Sequence, residues 1–121
     1  KLIIDALDRK VSECDRVYRH DDGSTRTLKN DIWILTESDG SFFKDAKGQT
    51  EFDWVYRYND GSTVTEKNGV CILTEKNGSL FKDAKGRTEF GWVNRHDDGS
   101  TMTQKYGVHV LTSKEGELIE E

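Results

Sequence analysis

The chain has 121 residues, 33% hydrophobic and 34% charged, with 18 Lys and Arg against 23 Asp and Glu and a formal net charge of −5. That length points to one domain, and so polar a composition buries only a thin core. The acidic balance speaks against nucleic acid and anionic membrane surfaces, and no apolar run approaches the roughly 18 residues of a bilayer span, so no membrane insertion is expected.

Residues 1–14, KLIIDALDRKVSEC, contain no Gly, and Leu2, Ile3, Ala6, Leu7, Val11 and Cys14 fall at helical i, i+3, i+4 spacing. The spacing predicts a short amphipathic helix. A competing reading aligns Leu2-Ile3-Ile4-Asp5-Ala6 with Leu80-Phe81-Lys82-Asp83-Ala84, as a degenerate strand. That alignment needs a two-residue insertion before Val17 regains register.

From residue 15 the sequence repeats itself, and this is its strongest signal. Residues 15–52 and 53–90 match at 26 of 38 positions without a gap, and a third copy runs over 91–121, seven residues short of the period. Within the second copy, Asp60-Gly61, Asn68-Gly69, Asn77-Gly78 and Lys85-Gly86 mark evenly spaced turns. Asp-Gly and Asn-Gly favour type I′ hairpins because both central residues need positive φ. Between the turns lie short β-branched and aromatic runs, TEFDWVYRY, STVTE, VCILTE and SLFKD, and the chain has no Pro to interrupt a strand. The prediction is an all-β domain over 15–121, an antiparallel β-hairpin repeat of about four short strands per copy.

An open extended or single-layer sheet fits the low apolar content. The alternative is a β-trefoil, which has a matching strand count and would imply a lectin. The Asp-Gly and Asn-Gly turns and the ending GVHVLTSKEGELI loosely resemble the hairpin-repeat C-terminal domain of centriolar TCP-type proteins, in which a coiled coil precedes an extended sheet. The proline usual in that family's turns is absent, and the family is not assigned.

Side chains alternate between strand faces. Phe52, Trp54, Tyr56 and Tyr58 therefore share one face of the long first strand, with Phe90, Trp92, Asn94 and His96 matching them one period on. The opposite face holds Val17, Val55 and Val93, the arginines Arg19, Arg57 and Arg95, and Glu13, Glu51 and Glu89. The aromatic stripe is read either as the core side of the sheet or as a platform for a partner or a sugar ring. The arginines are read as cross-strand partners of the glutamates, with anion binding as the lesser reading. A third-strand position carries Trp33, Cys71 and His109 in turn. Such variation in volume predicts an exposed or edge site, because a dense core resists it.

The Asp-Asp-Gly-Ser-Thr tracts at 21–25 and 97–101, with Asn59 opening the middle copy, are read as turns. His20, His96 and His109 have no zinc-ligand spacing with Cys14 or Cys71, so neither a metal nor another cofactor is expected. The two cysteines occupy non-equivalent places in the repeat, which argues against a designed disulfide. No His is present in all three copies, and repetition spreads residues along a surface instead of gathering them in a cleft.

The expected function is a non-catalytic scaffold or interaction module that binds a protein partner or itself through its aromatic face or a sheet edge. Carbohydrate binding is the alternative. Candidate binding residues are Trp33, Trp54, Tyr56, Tyr58 and Trp92, with Arg19, Arg57 and Arg95. The sequence leaves the compartment open.

Overall fold

Turn chemistry sets the strand boundaries in all three copies. The structure, a computed structural model, describes residues 4–119. Strands β1 Arg16–Arg19, β2 Thr25–Lys29 and β3 Ile32–Thr36 come from the first repeat. Those of the second are β4 Trp54–Arg57, β5 Thr63–Lys67 and β6 Val70–Thr74, and those of the third β7 Trp92–Arg95, β8 Thr101–Lys105 and β9 Val108–Thr112. Each triplet forms its own antiparallel sheet in sequential order. The second hairpin of each sheet turns on two residues of positive φ: Asn30-Asp31, Asn68-Gly69 and Tyr106-Gly107. The first hairpin is wider. There His20 N–H donates to Ser24 O at 2.8 Å, and the Ser24 amide and hydroxyl both donate to Asp22 Oδ1.

The fourth run of each repeat makes only bridges. Phe42, Leu80 and Leu118 pair singly with Thr36, Thr74 and Thr112. The chain then loops out and returns so that Phe52 pairs with Trp33, and Phe90 with Cys71, before the next first strand begins. Three sheets linked in this way form an open, non-barrel array, which excludes the trefoil. The accessible surface is 7290 Å², about a tenth above the ~6,700 Å² expected of a compact chain of this mass.

Two devices join one repeat to the next. The first is the loop that opens with Asp-Ala. Asp45 and Ala46 reach the second sheet, where the Thr65 hydroxyl donates to Asp45 Oδ2 at 3.3 Å and the Ala46 N–H donates to Thr74 Oγ1 at 2.9 Å. Asp83 and Ala84 repeat this on Thr103 (3.1 Å) and Thr112 (2.8 Å). The second is an arginine staple. Arg57 donates to Asp22 at 2.7 Å and to Glu37, and Arg95 donates to Asp60 at 2.8 Å and to Glu75. These partners correct the expected pairing with Glu51 and Glu89; Glu89 pairs instead with Lys47. Arg19 has no earlier staple partner among the described residues and is exposed.

Residues 4–14 form neither the predicted strand nor a long helix, only a three-residue 3-10 turn at Val11–Glu13, but their alignment with residues 82–92 is visible in the contacts they make. Asp5 and Ala6 dock on the first sheet as Asp83 and Ala84 dock on the third: the Thr27 hydroxyl donates to Asp5 Oδ2 at 3.0 Å and the Ala6 N–H to Thr36 Oγ1 at 2.9 Å. Asp8, at φ 59°, stands where Gly48 and Gly86 turn the equivalent loops. The longer amphipathic helix is not formed over these residues, because the Asp5 carboxylate caps its own loop by accepting from the Leu7 and Arg9 amides. Leu2 and Ile3, which that helix also used, lie outside the described residues.

The core lies between repeats. Trp33, Leu35, Phe43 and Phe52 cluster with Val55, and Val64, Cys71, Leu73, Phe81 and Phe90 cluster with Val93. The valine face, read from sequence as mostly charged, is therefore buried: Val55 and Val93 close onto the preceding repeat, and Arg57 and Arg95 lie across Phe43 and Phe81. The position of Trp33 and Cys71, expected to be exposed, is buried in both repeats because Phe52 and Phe90 cover it. His109, with no such partner among the described residues, is exposed.

Candidate interaction cleft between the second and third repeats

The aromatic stripe divides. Phe52 and Phe90 enter the core, whereas Trp54, Tyr56 and Trp92 remain 39%, 39% and 45% exposed. Large rings held half in water need a local reason, and the strand register supplies it. Across the second sheet Trp54 lies opposite Glu66, Glu66 opposite Cys71, and Cys71 opposite Phe90. The adjoining row on the same face is Tyr56, Val64 and Leu73. Trp92 and Asn94 of the third repeat face this surface across a cleft of about 600 Å³ that Tyr58 also lines. Tyr56 and Tyr58 meet edge to face with ring centroids 5.2 Å apart, and Tyr58 packs in turn against the core cluster around Val64 and Val93.

The corresponding space between the first and second repeats is filled. There the row reads Arg16, Leu28, Trp33, Phe52, and its neighbour reads Tyr18, Arg26, Leu35. The Arg26 guanidinium stands over four rings, at 4.7 Å from Tyr18, 5.3 Å from Trp33, 4.8 Å from Trp54 and 5.3 Å from Tyr56. Its Nη1 donates to Val55 O at 3.1 Å, while its Nε has no partner. What remains open is about 250 Å³, lined by Arg19, His20, Asp22, Tyr56, Arg57 and Tyr58. One repeat later Val64 replaces Arg26 and Cys71 replaces Trp33, so both plugs are lost together.

Electrostatics follow the same exchange. Glu66 stands where the first repeat has Leu28, lines the cleft, and makes no ion pair among the described residues. Burial, reinforced by the Glu66 carboxylate, pushes the Cys71 thiol up to about 11. A thiol so raised is protonated at neutral pH and a poor nucleophile. Arg95 also lines the cleft, but Asp60 and Glu75 neutralise it. In the filled space, burial above all and then Arg26 lower the His20 pKa.

The cleft thus gathers Trp54, Tyr56, Tyr58 and Trp92 of the expected binding residues. Trp33 is buried beside the first space, and Arg57 and Arg95 are engaged as staples. Arg19 lies apart from the aromatic cleft, at the opening between the first two repeats. Sequence reading missed Glu66, Val64 and Cys71, although the concerted change of Arg26, Leu28 and Trp33 one period earlier carries the signal. Among the described residues no group of three or more His, Cys, Asp or Glu is arranged to hold a metal, and no helix is long and apolar enough to cross a membrane. No family model, curated protein or solved structure matches the chain.

Proposed function

We propose that the chain is a non-catalytic interaction module that engages a protein partner through the aromatic cleft between its second and third repeats. The observation that carries this reading is the half-exposed set Trp54, Tyr56 and Trp92 around an open volume of about 600 Å³. Tyr and Trp with few freely rotating bonds and a large apolar face are the residues that dominate binding energy at interfaces. The protonated Cys71 thiol and the Asp5, Asp45 and Asp83 carboxylates, each committed to a Thr hydroxyl, support a role without chemistry.

A peptide-display selection on the wild-type chain, counter-selected on a Tyr56→Ala/Trp92→Ala variant whose circular dichroism is unchanged, tests the reading. Peptides enriched on the first and lost on the second are expected. Enrichment indifferent to both substitutions contradicts it. Saturable binding of sugars without any peptide replaces it with the carbohydrate reading.

A further inference from the structure

The first inter-repeat space shows what its neighbour lacks. In it a guanidinium, tethered through Arg26, sits among Tyr18, Trp33, Trp54 and Tyr56 and donates to the Val55 carbonyl. In the second space Val64 removes the tethered cation, and Cys71 and Asn94 replace two of the four rings; Tyr56 and Trp92 keep their places, and Trp54 and Tyr58 also line the space. Val93, the counterpart of Val55, also lines it. Trp54 and Tyr56 belong to both spaces.

Charge completes the comparison. A cation anchored by its own chain needs no counter-ion to hold it, and the first repeat has Leu28 beside it. A cation arriving from solution gains from a carboxylate at that place, and the second repeat has Glu66 there. Of the other charges lining the cleft, Asp60 and Arg95 pair with each other, which leaves the carboxylate of Asp97. The surroundings therefore favour a positive guest. Aromatic faces attract guanidinium more often than ammonium, and a planar fork can stack on a ring while donating at its edge.

We infer that the cleft between the second and third repeats is a pocket for an arginine side chain of a protein partner, stacked among Trp54, Tyr56, Tyr58 and Trp92 and paired with Glu66. The inference rests on the interaction reading above and names the feature of the partner that the cleft recognises. Arg26 is its internal template.

The test is a Trp fluorescence titration at low salt with the blocked peptide acetyl-Gly-Arg-Gly-amide and its citrulline counterpart, which keeps shape and loses charge. The arginine peptide is expected to give a saturable change with a Kd of about millimolar order, as suits a single side chain, and citrulline to bind about ten-fold more weakly. Glu66→Gln should weaken arginine binding about ten-fold with the melting temperature unchanged. Val64→Arg, which restores the first repeat's plug, should abolish it. Equal binding of arginine and citrulline, or indifference to Glu66→Gln, overturns the cationic guest. In that event, display-selected peptides that still need Tyr56 and Trp92 would leave the interaction reading standing. Loss of both the arginine response and the selected peptides would remove the two together.

Discussion

The Arg26 guanidinium lies 4.8 Å from the ring of Trp54, a residue of the following repeat. This contact fills one inter-repeat space from within, and its absence one period later, together with the change of Trp33 to Cys71, leaves the second open. Arg26→Val is therefore expected to open the first space. Two stability terms oppose each other there: lost cation–π contacts, worth about 0.5–2 kcal/mol, and relief of a desolvated guanidinium with an unpartnered Nε. The decisive readout is accessibility. Acrylamide quenching of Trp54 should rise in Arg26→Val, and unchanged quenching would show that the guanidinium does not cover the ring.

The Asp-Ala loops carry more of the stability than their exposed neighbours. The Asp83 side chain is fully buried, paired with Arg87 at 2.8 Å, and accepts the Thr103 hydroxyl from the next repeat. Burial alone would raise its pKa, but the Arg87 side chain and backbone outweigh burial and hold it below the usual carboxylate range. Asp83→Ala is expected to cost about 3–5 kcal/mol, because it strands a partly buried guanidinium, the Thr103 hydroxyl and the Lys85 and Arg87 amides. Asp83→Asn, which keeps one oxygen to accept from the Lys85 and Arg87 amides, should cost less. Urea denaturation checks the order, and equal midpoints for wild type and Asp83→Ala would contradict it.

Backbone strain offers a stabilising change. Tyr106 has φ 50° and is 94% exposed, while Asn30 and Asn68 occupy the same turn position in the other repeats. Asn tolerates the left-handed region far better than Tyr. Tyr106→Asn should raise stability by about 1 kcal/mol, seen as a higher thermal midpoint, and a fall would show that Tyr106 packs in a way the structure does not contain.

Stability should also bend in two pH windows. His20 has a folded pKa below 6.5, through burial first and Arg26 second. The unfolded chain then binds the proton more readily, so stability present above 6.5 is lost as pH falls through that value toward the folded pKa. Asp22 behaves as a carboxylate should: the Ser24 hydroxyl and amide, with Arg57, overcome burial and lower it to about 2. Its contribution is present above 3.8 and lost as pH falls toward 2. His20→Tyr, the residue of the second repeat, should flatten the upper window and leave the lower one. Denaturant midpoints from pH 7 to 2 would show both, and an unaltered upper slope would contradict the assignment.

Much of this architecture is legible in the sequence. The 38-residue period, the Asn68-Gly69 hairpin and the Asp-Gly-Ser turns correspond to the three sheets and their connections. The hairpins at Asn30-Asp31 and Tyr106-Gly107 carry no such pair, and Asn77-Gly78 takes positive φ only at its Gly. Alternation along the strands says that Trp54 and Val55 face opposite ways, but it cannot say which side the next repeat covers. That depends on packing between repeats, and it is Val55 that is covered. The substitution series Trp33, Cys71, His109 reads as tolerance of exposure, which holds at His109; at Cys71 the lost volume adds to that of Arg26 becoming Val64 and opens the cleft, while Phe90 still covers the thiol. The Asp-Ala pair of residues 5–6 was visible as a match to 83–84. Its docking on Thr27 and Thr36 was not, because contacts between polar residues far apart in sequence leave no periodic trace.

The most direct measurement of the central claim is acrylamide quenching of three single-tryptophan variants, each with the other two tryptophans replaced by Phe. Trp33 is 6% exposed, against 39% for Trp54 and 45% for Trp92. An open aromatic cleft between the second and third repeats predicts several-fold stronger quenching of Trp54 and Trp92 than of Trp33. Equal quenching of the three, or a shielded Trp92, would contradict it.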